Sequence, residues 1–121
     1  MGGAKVSDKI KVIENLLGKV DKLLLGGAMI FTFYMAQGRN IGTSRLDEAG
    51  IETAKRLMNN PKIILPVDIV VADKFDAYAD SKIVDVGSMP NDWMGLDIGP
   101  KTIANYKGIL KDAKTIIWNG P

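Results

Sequence analysis

Apolar side chains recur at helical spacing early in the chain, and short unbroken apolar runs come between the helical segments. Residues 6–20 place apolar side chains on one side and charged ones between them, which predicts an amphipathic helix. The apolar run at 23–25 is typical of a short buried strand. Residues 28–37 are apolar on nearly every side, which predicts a buried helix that ends at Gly38.

A third helix is predicted after a polar segment. Its apolar positions fall within residues 51–58, and the triplet 59–61 (Asn-Asn-Pro) ends it. Ser44 and Asp47 have the spacing of a capping box at the entry to this helix.

Two apolar runs within residues 62–72 are separated by Pro66, which cannot donate a backbone hydrogen bond to a sheet. We therefore expect a strand that bends or ends at this proline. A polar loop over 75–82, a short strand over 83–86 and a turn over 87–92 are predicted next.

A fourth helix is predicted to begin at 99–100, where Gly-Pro places proline at the first helical position. A last apolar run at 115–118 predicts a final strand. Helices separate short, fully apolar strands, and this order predicts an α/β fold. We expect a three-layer, Rossmann-like arrangement, a parallel sheet with helices on both faces, incomplete at both ends.

Composition narrows the possible chemistry. The 121 residues include no histidine and no cysteine, which excludes imidazole general bases, thiol nucleophiles, disulfides, and zinc, haem or iron–sulfur ligation. Phosphate chemistry remains open, because it relies on positioning and charge. The net charge of +2 and the 7% of aromatic residues argue against a nucleic-acid partner.

No membrane partner is expected either. The longest apolar stretch, residues 23–36, is shorter than the ~20 residues that a membrane-spanning helix needs. The first residues show no secretory signal, so a cytoplasmic location is the expectation.

Two glycine turns are candidates for binding a ligand. Gly2 and Gly3 lead into the first helix, where Lys5 and Lys9 are four residues apart and can point to one side of the helix N-terminus. The segment is either a polyphosphate cradle or a flexible tail with two solvated lysines. The second turn, 26–28, is either a ligand-binding turn at a strand end or a tight, closely packed connection.

Two carboxylates also lie at candidate positions. Asp97 precedes the start of the fourth helix, where a carboxylate complements the helix dipole. Asp68 is either a functional carboxylate or a turn-forming residue at a strand end.

The motifs together resemble the C-terminal, nucleotide-binding domain of phosphoglycerate kinases. They occur in the family's order over essentially the whole chain, and only their combination is specific. The matching segments are GGAKVSDKI at 2–10, LGGAM at 25–29, IGTS at 41–44, LPVD at 65–68, ADK at 72–74, WMGLDIGP at 93–100 and WNGP at 118–121. Ala28 replaces a third glycine of many members, and Arg45 stands where many place a leucine against the base.

The resemblance implies reversible phosphoryl transfer between 1,3-bisphosphoglycerate and ADP in glycolysis, with ATP or ADP and magnesium as cofactors. It implies that Lys5 is the catalytic residue that reaches the transferring phosphoryl group. No residue of this chain is assigned to the metal, because the resemblance places the magnesium-linked aspartate outside it. The residues implied to bind the nucleotide are Gly3, Ala4, Lys9, Gly26, Gly27, Arg45, Gly95, Leu96, Asn119 and Pro121.

The resemblance also sets the expected partners. We expect residues 1–121 to be a partial nucleotide-binding domain with no second domain present. The nucleotide is the expected partner, and 3-phosphoglycerate or 1,3-bisphosphoglycerate would be reached only through an N-terminal domain. The chain alone is expected to be inactive. Two alternatives are a module that folds or self-associates through exposed sheet edges and an unrelated dinucleotide-binding domain, which ranks last because no GxGxxG turn is present.

Overall fold

Four α-helices and five β-strands make up the regular structure of the chain, and a computed structural model describes all of residues 1–121. The helices are α1 (Val6–Leu17), α2 (Met29–Ala36), α3 (Ile51–Leu57) and α4 (Pro100–Lys111). The strands are β1 (Leu23–Leu24), β2 (Ile63–Ile64), β3 (Asp68–Ala72), β4 (Ser81–Asp85) and β5 (Met94–Ile98). The α/β class predicted from the sequence is confirmed.

The parallel pairing predicted from the sequence is present between β1 and β2. Leu23 lies opposite Ile63 in this pair, and the two strands run in the same direction. Met1 lies along the other edge of β1, because its amino group donates to Leu24 O at 2.7 Å and its carbonyl accepts from Gly26 N at 2.9 Å. The N-terminal residue therefore extends the hydrogen bonding of the small sheet.

The remaining strands form a second sheet in which β3 is central and pairs antiparallel with both β4 and β5. For these strands the predicted parallel arrangement is wrong. Strand β5 was not predicted at all, because Gly95 and Asp97 are residue types that strands disfavour. The break predicted at Pro66 is confirmed, since β2 ends before it and β3 begins after it.

The strand predicted over 115–118 is wrong, because no strand forms there. Ile116, Ile117 and Trp118 are 57%, 61% and 91% exposed. The nearest backbone pairing is a hydrogen bond from Gly2 N to Asn119 O at 2.8 Å. An apolar run forms a strand only where a neighbouring edge pairs with it, and these residues have no such neighbour along their length.

The core lies among the first three helices and the two sheets. Helix α2 is buried over its first six residues, from Met29 to Tyr34, which confirms the helix predicted to be apolar on all sides. Gly38 follows it with φ of +77°, as predicted for the residue that ends the helix. Helix α1 ends earlier than predicted, at Leu17, where Gly18 follows.

The predicted capping box is wrong, because both of its residues bind other segments. The Ser44 hydroxyl accepts a hydrogen bond from Gly95 N at 2.8 Å, and the Asp47 carboxylate accepts one from Ser7 N at 2.9 Å. No helix in the fold has the length and apolar character needed to traverse a membrane.

Candidate functional site

The two glycine turns predicted as ligand sites are in direct contact. Gly27 has φ of +70°, and a Cβ atom placed on it would lie 2.7 Å from Gly3 N and 2.8 Å from Gly3 O. Gly3 O also accepts a hydrogen bond from Met29 N, the first residue of α2, at 2.9 Å. The turn at 26–28 is thus a closely packed connection, and it fixes the loop that precedes α1.

Residues 119–120 contact α1 and the glycine loop that precedes it. The Lys9 ammonium donates to Asn119 Oδ1 at 2.6 Å and to Gly120 O at 3.5 Å. The stem of the same lysine lies along Gly3, since a Cβ atom there would be 3.0 Å from Lys9 Cε. Lys9 therefore joins the loop before α1 to residues 119–120, and the same loop packs through Gly3 against Gly27 in the turn before α2.

The start of α1 is held from the side by a buried carboxylate. Asp47 is 7% exposed, its carboxylate accepts from Ser7 N, and its own amide donates to Thr32 Oγ1 at 3.2 Å. One of the free amides at this helix N-terminus is therefore already paired. Lys5 precedes α1 in an extended conformation, with its side chain exposed to solvent.

A cavity of about 400 Å³ opens beside the turn before α2. Its lining combines apolar side chains with one charged residue: Ala28, Phe31, Arg45, Phe75, Met94, Gly95 and Leu96. Gly95 shapes one wall, because a Cβ atom there would overlap the ring of Phe31, which is buried. The ring of Phe31 can pack directly against the backbone at this position only because the residue has no side chain.

A larger open groove of about 1630 Å³ runs over the three loops. Seven residues predicted to bind nucleotide line it: Gly3, Ala4, Gly26, Gly27, Arg45, Asn119 and Pro121. Arg45 and Ala28 line both the groove and the smaller cavity, so the two spaces meet at these residues. Gly95 and Leu96 line the smaller cavity, whereas Lys5 and Lys9 line neither space; Lys9 borders the groove through its partners Gly3, Asn119 and Gly120.

Asp68 caps a helix and lies outside this site. Its carboxylate accepts hydrogen bonds from Lys101 N at 2.9 Å, from Thr102 N at 2.8 Å and from Thr102 Oγ1 at 2.6 Å. Burial raises the pKa of Asp68, but these hydrogen bonds outweigh it and hold the pKa below its ordinary value. Asp97 is exposed and lines the groove, with its carboxylate bound to the amide of Ile98 at 2.8 Å.

Three residues shape the site in ways that the sequence motifs do not predict. Asp47 holds α1, Ser44 holds Gly95, and Phe31 forms a wall of the smaller cavity. Each acts on a residue that is far away in the chain, so no local spacing reveals the role.

The carboxylates do not form a metal site by themselves. No group of three or more histidine, cysteine, aspartate or glutamate side chains is placed to hold a metal ion. Magnesium is commonly held by one or two carboxylates together with substrate phosphates, and the protein donors present here do not define such a position.

Comparisons of the sequence with known proteins all identify the same family. The family model described as phosphoglycerate kinase matches residues 1–121. Curated phosphoglycerate kinases from Limosilactobacillus reuteri and Fusobacterium nucleatum are 53% and 54% identical to this chain over its full length. The chain spans 30% and 31% of the length of these two relatives.

Solved structures agree with the sequence matches. The phosphoglycerate kinase structure from Coxiella burnetii superposes with a TM-score of 0.93 at 38% identity, covering 100% of this chain and 32% of its own. The enzyme from Pyrococcus horikoshii superposes with a TM-score of 0.80 at 31% identity, covering 99% of this chain and 32% of its own. The chain belongs to the phosphoglycerate kinase family.

Proposed function

We propose that this chain forms the nucleotide side of a phosphoglycerate kinase site and binds ADP or ATP where the three loops meet. The diphosphate lies in the groove beside Lys9, and the base enters the smaller cavity. The observation that carries the proposal is that the Lys9 ammonium binds Asn119 while its stem lies along Gly3, which in turn packs against Gly27.

The loops suit a phosphate group for physical reasons. A helix N-terminus offers unpaired amides and positive potential, and glycine allows a ligand to approach the backbone closely. The Lys9 ammonium adds a full charge at the same place, next to Gly3 and Asn119. The amide of Ser7 already donates to the Asp47 carboxylate and is not available to a ligand. Lys9 and the loop backbone therefore supply most of the attraction for the phosphate.

The smaller cavity suits a flat aromatic ring. Its walls are mainly apolar, and the missing side chain at Gly95 lets the ring of Phe31 pack directly against the backbone of the wall. Phe75 is 85% exposed although it lines the cavity, so one face of its ring is free to contact a base. Because Arg45 and Ala28 border both spaces, one ligand can occupy the cavity and the groove together.

Lys5 is proposed as the catalytic residue. Lys5 is the residue immediately before α1, and its side chain is exposed. From this position its flexible ammonium can reach a phosphoryl group at the end of the nucleotide. The residues described here do not define a magnesium site, so we derive no step through that ion.

The family reaction needs more than this chain provides. About 30% of the length of the curated relatives is matched, and the contacts to phosphoglycerate are proposed to come from the rest. We therefore expect no phosphoryl transfer to 3-phosphoglycerate by the 121-residue chain in a coupled assay. Turnover above the background of an enzyme-free reaction would show that the 121 residues themselves supply the contacts to phosphoglycerate, which contradicts the proposal.

Calorimetric titration of ADP tests the binding proposal. Lys9→Met should weaken binding roughly tenfold or more, because a hydrogen bond to a charged group is worth about 1.5–3 kcal/mol. Lys11→Met is the matched control, since it removes an exposed lysine of the same helix. Equal affinities for the two variants, or no binding of ADP to the unmodified chain, would contradict the proposal.

A second candidate function, self-association, is favoured by one observation. Ile116, Ile117 and Trp118 form an exposed apolar segment beside the groove. We propose a second copy of the chain as the alternative occupant of this surface. Size-exclusion chromatography with light scattering should then show a dimer whose population falls in Trp118→Ser. A monomer at all concentrations would remove this alternative.

A further inference from the structure

One charged side chain in the proposed base cavity has no partner within the protein. Arg45 is the only charged residue among those that line the cavity. The ion pairs of the molecule join Lys55 to Glu52, Arg56 to Glu14 and Lys101 to Asp85. Arg45 takes part in none of these ion pairs, and no side-chain hydrogen bond ties it to a neighbour. Its guanidinium is therefore available to a ligand.

The chemistry of arginine restricts which edge of a base it can meet. A guanidinium carries five N–H donors in a planar fork and no acceptor. The other side chains that line the cavity are apolar, so the polar edge of a base that turns toward Arg45 must present acceptors. A pair of adjacent acceptors suits the fork best, because both bonds then form at once.

Purine bases differ in this respect. Guanine and hypoxanthine present two neighbouring acceptors, N7 and O6, which arginine binds in a bidentate manner. Adenine presents the N7 acceptor beside an N6 amino group. The amino group is a donor, so it cannot accept the second hydrogen bond of the guanidinium. We propose that Arg45 is a specificity-determining residue that makes the site prefer 6-oxopurine nucleotides over adenine nucleotides. The inference rests on the proposed function, because it assumes that the base occupies this cavity.

Titration of the chain with ADP, GDP and IDP, followed by NMR chemical shifts, tests this preference. IDP separates the two differences between adenine and guanine, because hypoxanthine has O6 but lacks the 2-amino group. We expect GDP and IDP to bind about tenfold more tightly than ADP, which corresponds to one good arginine–base pair.

The variants assign the preference to a residue. In Arg45→Leu the three affinities should come within about twofold of one another, and Arg45→Lys should keep only part of the preference, because lysine lacks the fork. Arg56→Leu is the matched control: it removes an arginine from an exposed ion pair with Glu14 and should keep the full preference.

Several outcomes would overturn the inference while nucleotide binding itself stands. Equal affinities of the unmodified chain for ADP, GDP and IDP would show that Arg45 does not read the base. GDP preferred over both IDP and ADP would show that the 2-amino group is read by another residue. If Arg45→Leu lowers the affinities for all three nucleotides and for pyrophosphate by the same factor, the guanidinium contacts the phosphates and not the base. Failure of every nucleotide to bind would instead contradict the proposed function.

Discussion

Replacing Gly27 by alanine tests the contact between the two glycine turns. The residue has φ of +70°, a region that costs an L-residue with a side chain about 1–2 kcal/mol. Alanine also restricts the unfolded chain, which offsets about 0.4–1 kcal/mol of that penalty. The added Cβ would lie 2.7 Å from Gly3 N and 2.8 Å from Gly3 O, so the backbone of the neighbouring loop must move.

Gly38→Ala is the matched control for backbone strain. Gly38 has nearly the same φ, +77°, but a Cβ atom there would meet nothing within 4 Å. We expect Gly38→Ala to lower the free energy of unfolding by about 1 kcal/mol. Gly27→Ala should lower it by a further ~1–3 kcal/mol, the usual range for forcing extra atoms into a packed site.

Urea unfolding followed by circular dichroism measures the free energies of unfolding of Gly27→Ala and Gly38→Ala. Gly26→Ala is a second control, with neither a positive φ nor a close contact. A Cβ on Gly26 would meet nothing within 4 Å and its φ is not positive, so its free energy of unfolding should change by less than ~0.5 kcal/mol. If Gly27→Ala and Gly38→Ala are equally destabilised, the loop before α1 does not lie against Gly27 and the proposed geometry of the site is refuted.

Substitutions at Gly95, Asp68 and Tyr106 test the packing and the hydrogen bonds elsewhere in the fold. Gly95→Ala should lower the free energy of unfolding by about 1–3 kcal/mol in urea, because its Cβ would overlap the buried ring of Phe31; unchanged stability would contradict this. The lowered folded-state pKa of Asp68 stabilises the fold above the ordinary value of 3.8, and this contribution should disappear as the pH falls below 3.8 through the folded-state pKa. Asp68→Asn should flatten this part of the stability profile, and an unchanged profile would argue against the effect. Tyr106→Phe should lower the free energy of unfolding by about 1 kcal/mol, because its hydroxyl donates to Leu25 O at 2.6 Å; thermal melts with no shift would count against that bond.

Periodicity in the sequence predicted the helices well, and local proline and glycine residues predicted several of their ends. It could not predict the antiparallel sheet, because the direction and partners of β3 depend on contacts with strands elsewhere in the chain. The run at 115–118 shows the reverse error: its side chains are as apolar as those of a strand, but no edge pairs with them. Strand identity depends on a partner as much as on composition.

The candidate site was predicted as separate motifs, and the structure brings most of them together. Lys9, Gly3 and Asn119 were each expected to serve a nucleotide, and their contacts join residues more than a hundred positions apart. The role of Asp47 was misassigned, because the spacing to Ser44 suggested a local cap while the carboxylate binds the start of α1. Local patterns identify residues suited to a task, but they do not identify long-range partners.

Residue-resolved NMR titration with ADP is the most direct test of whether the three loops and the smaller cavity bind one nucleotide. We expect saturable shifts of backbone amides in residues 3–5, in 95–96 and in 119–120, with a single dissociation constant for all three. Shifts confined to other parts of the chain, or different dissociation constants for the loops and the cavity, would contradict it.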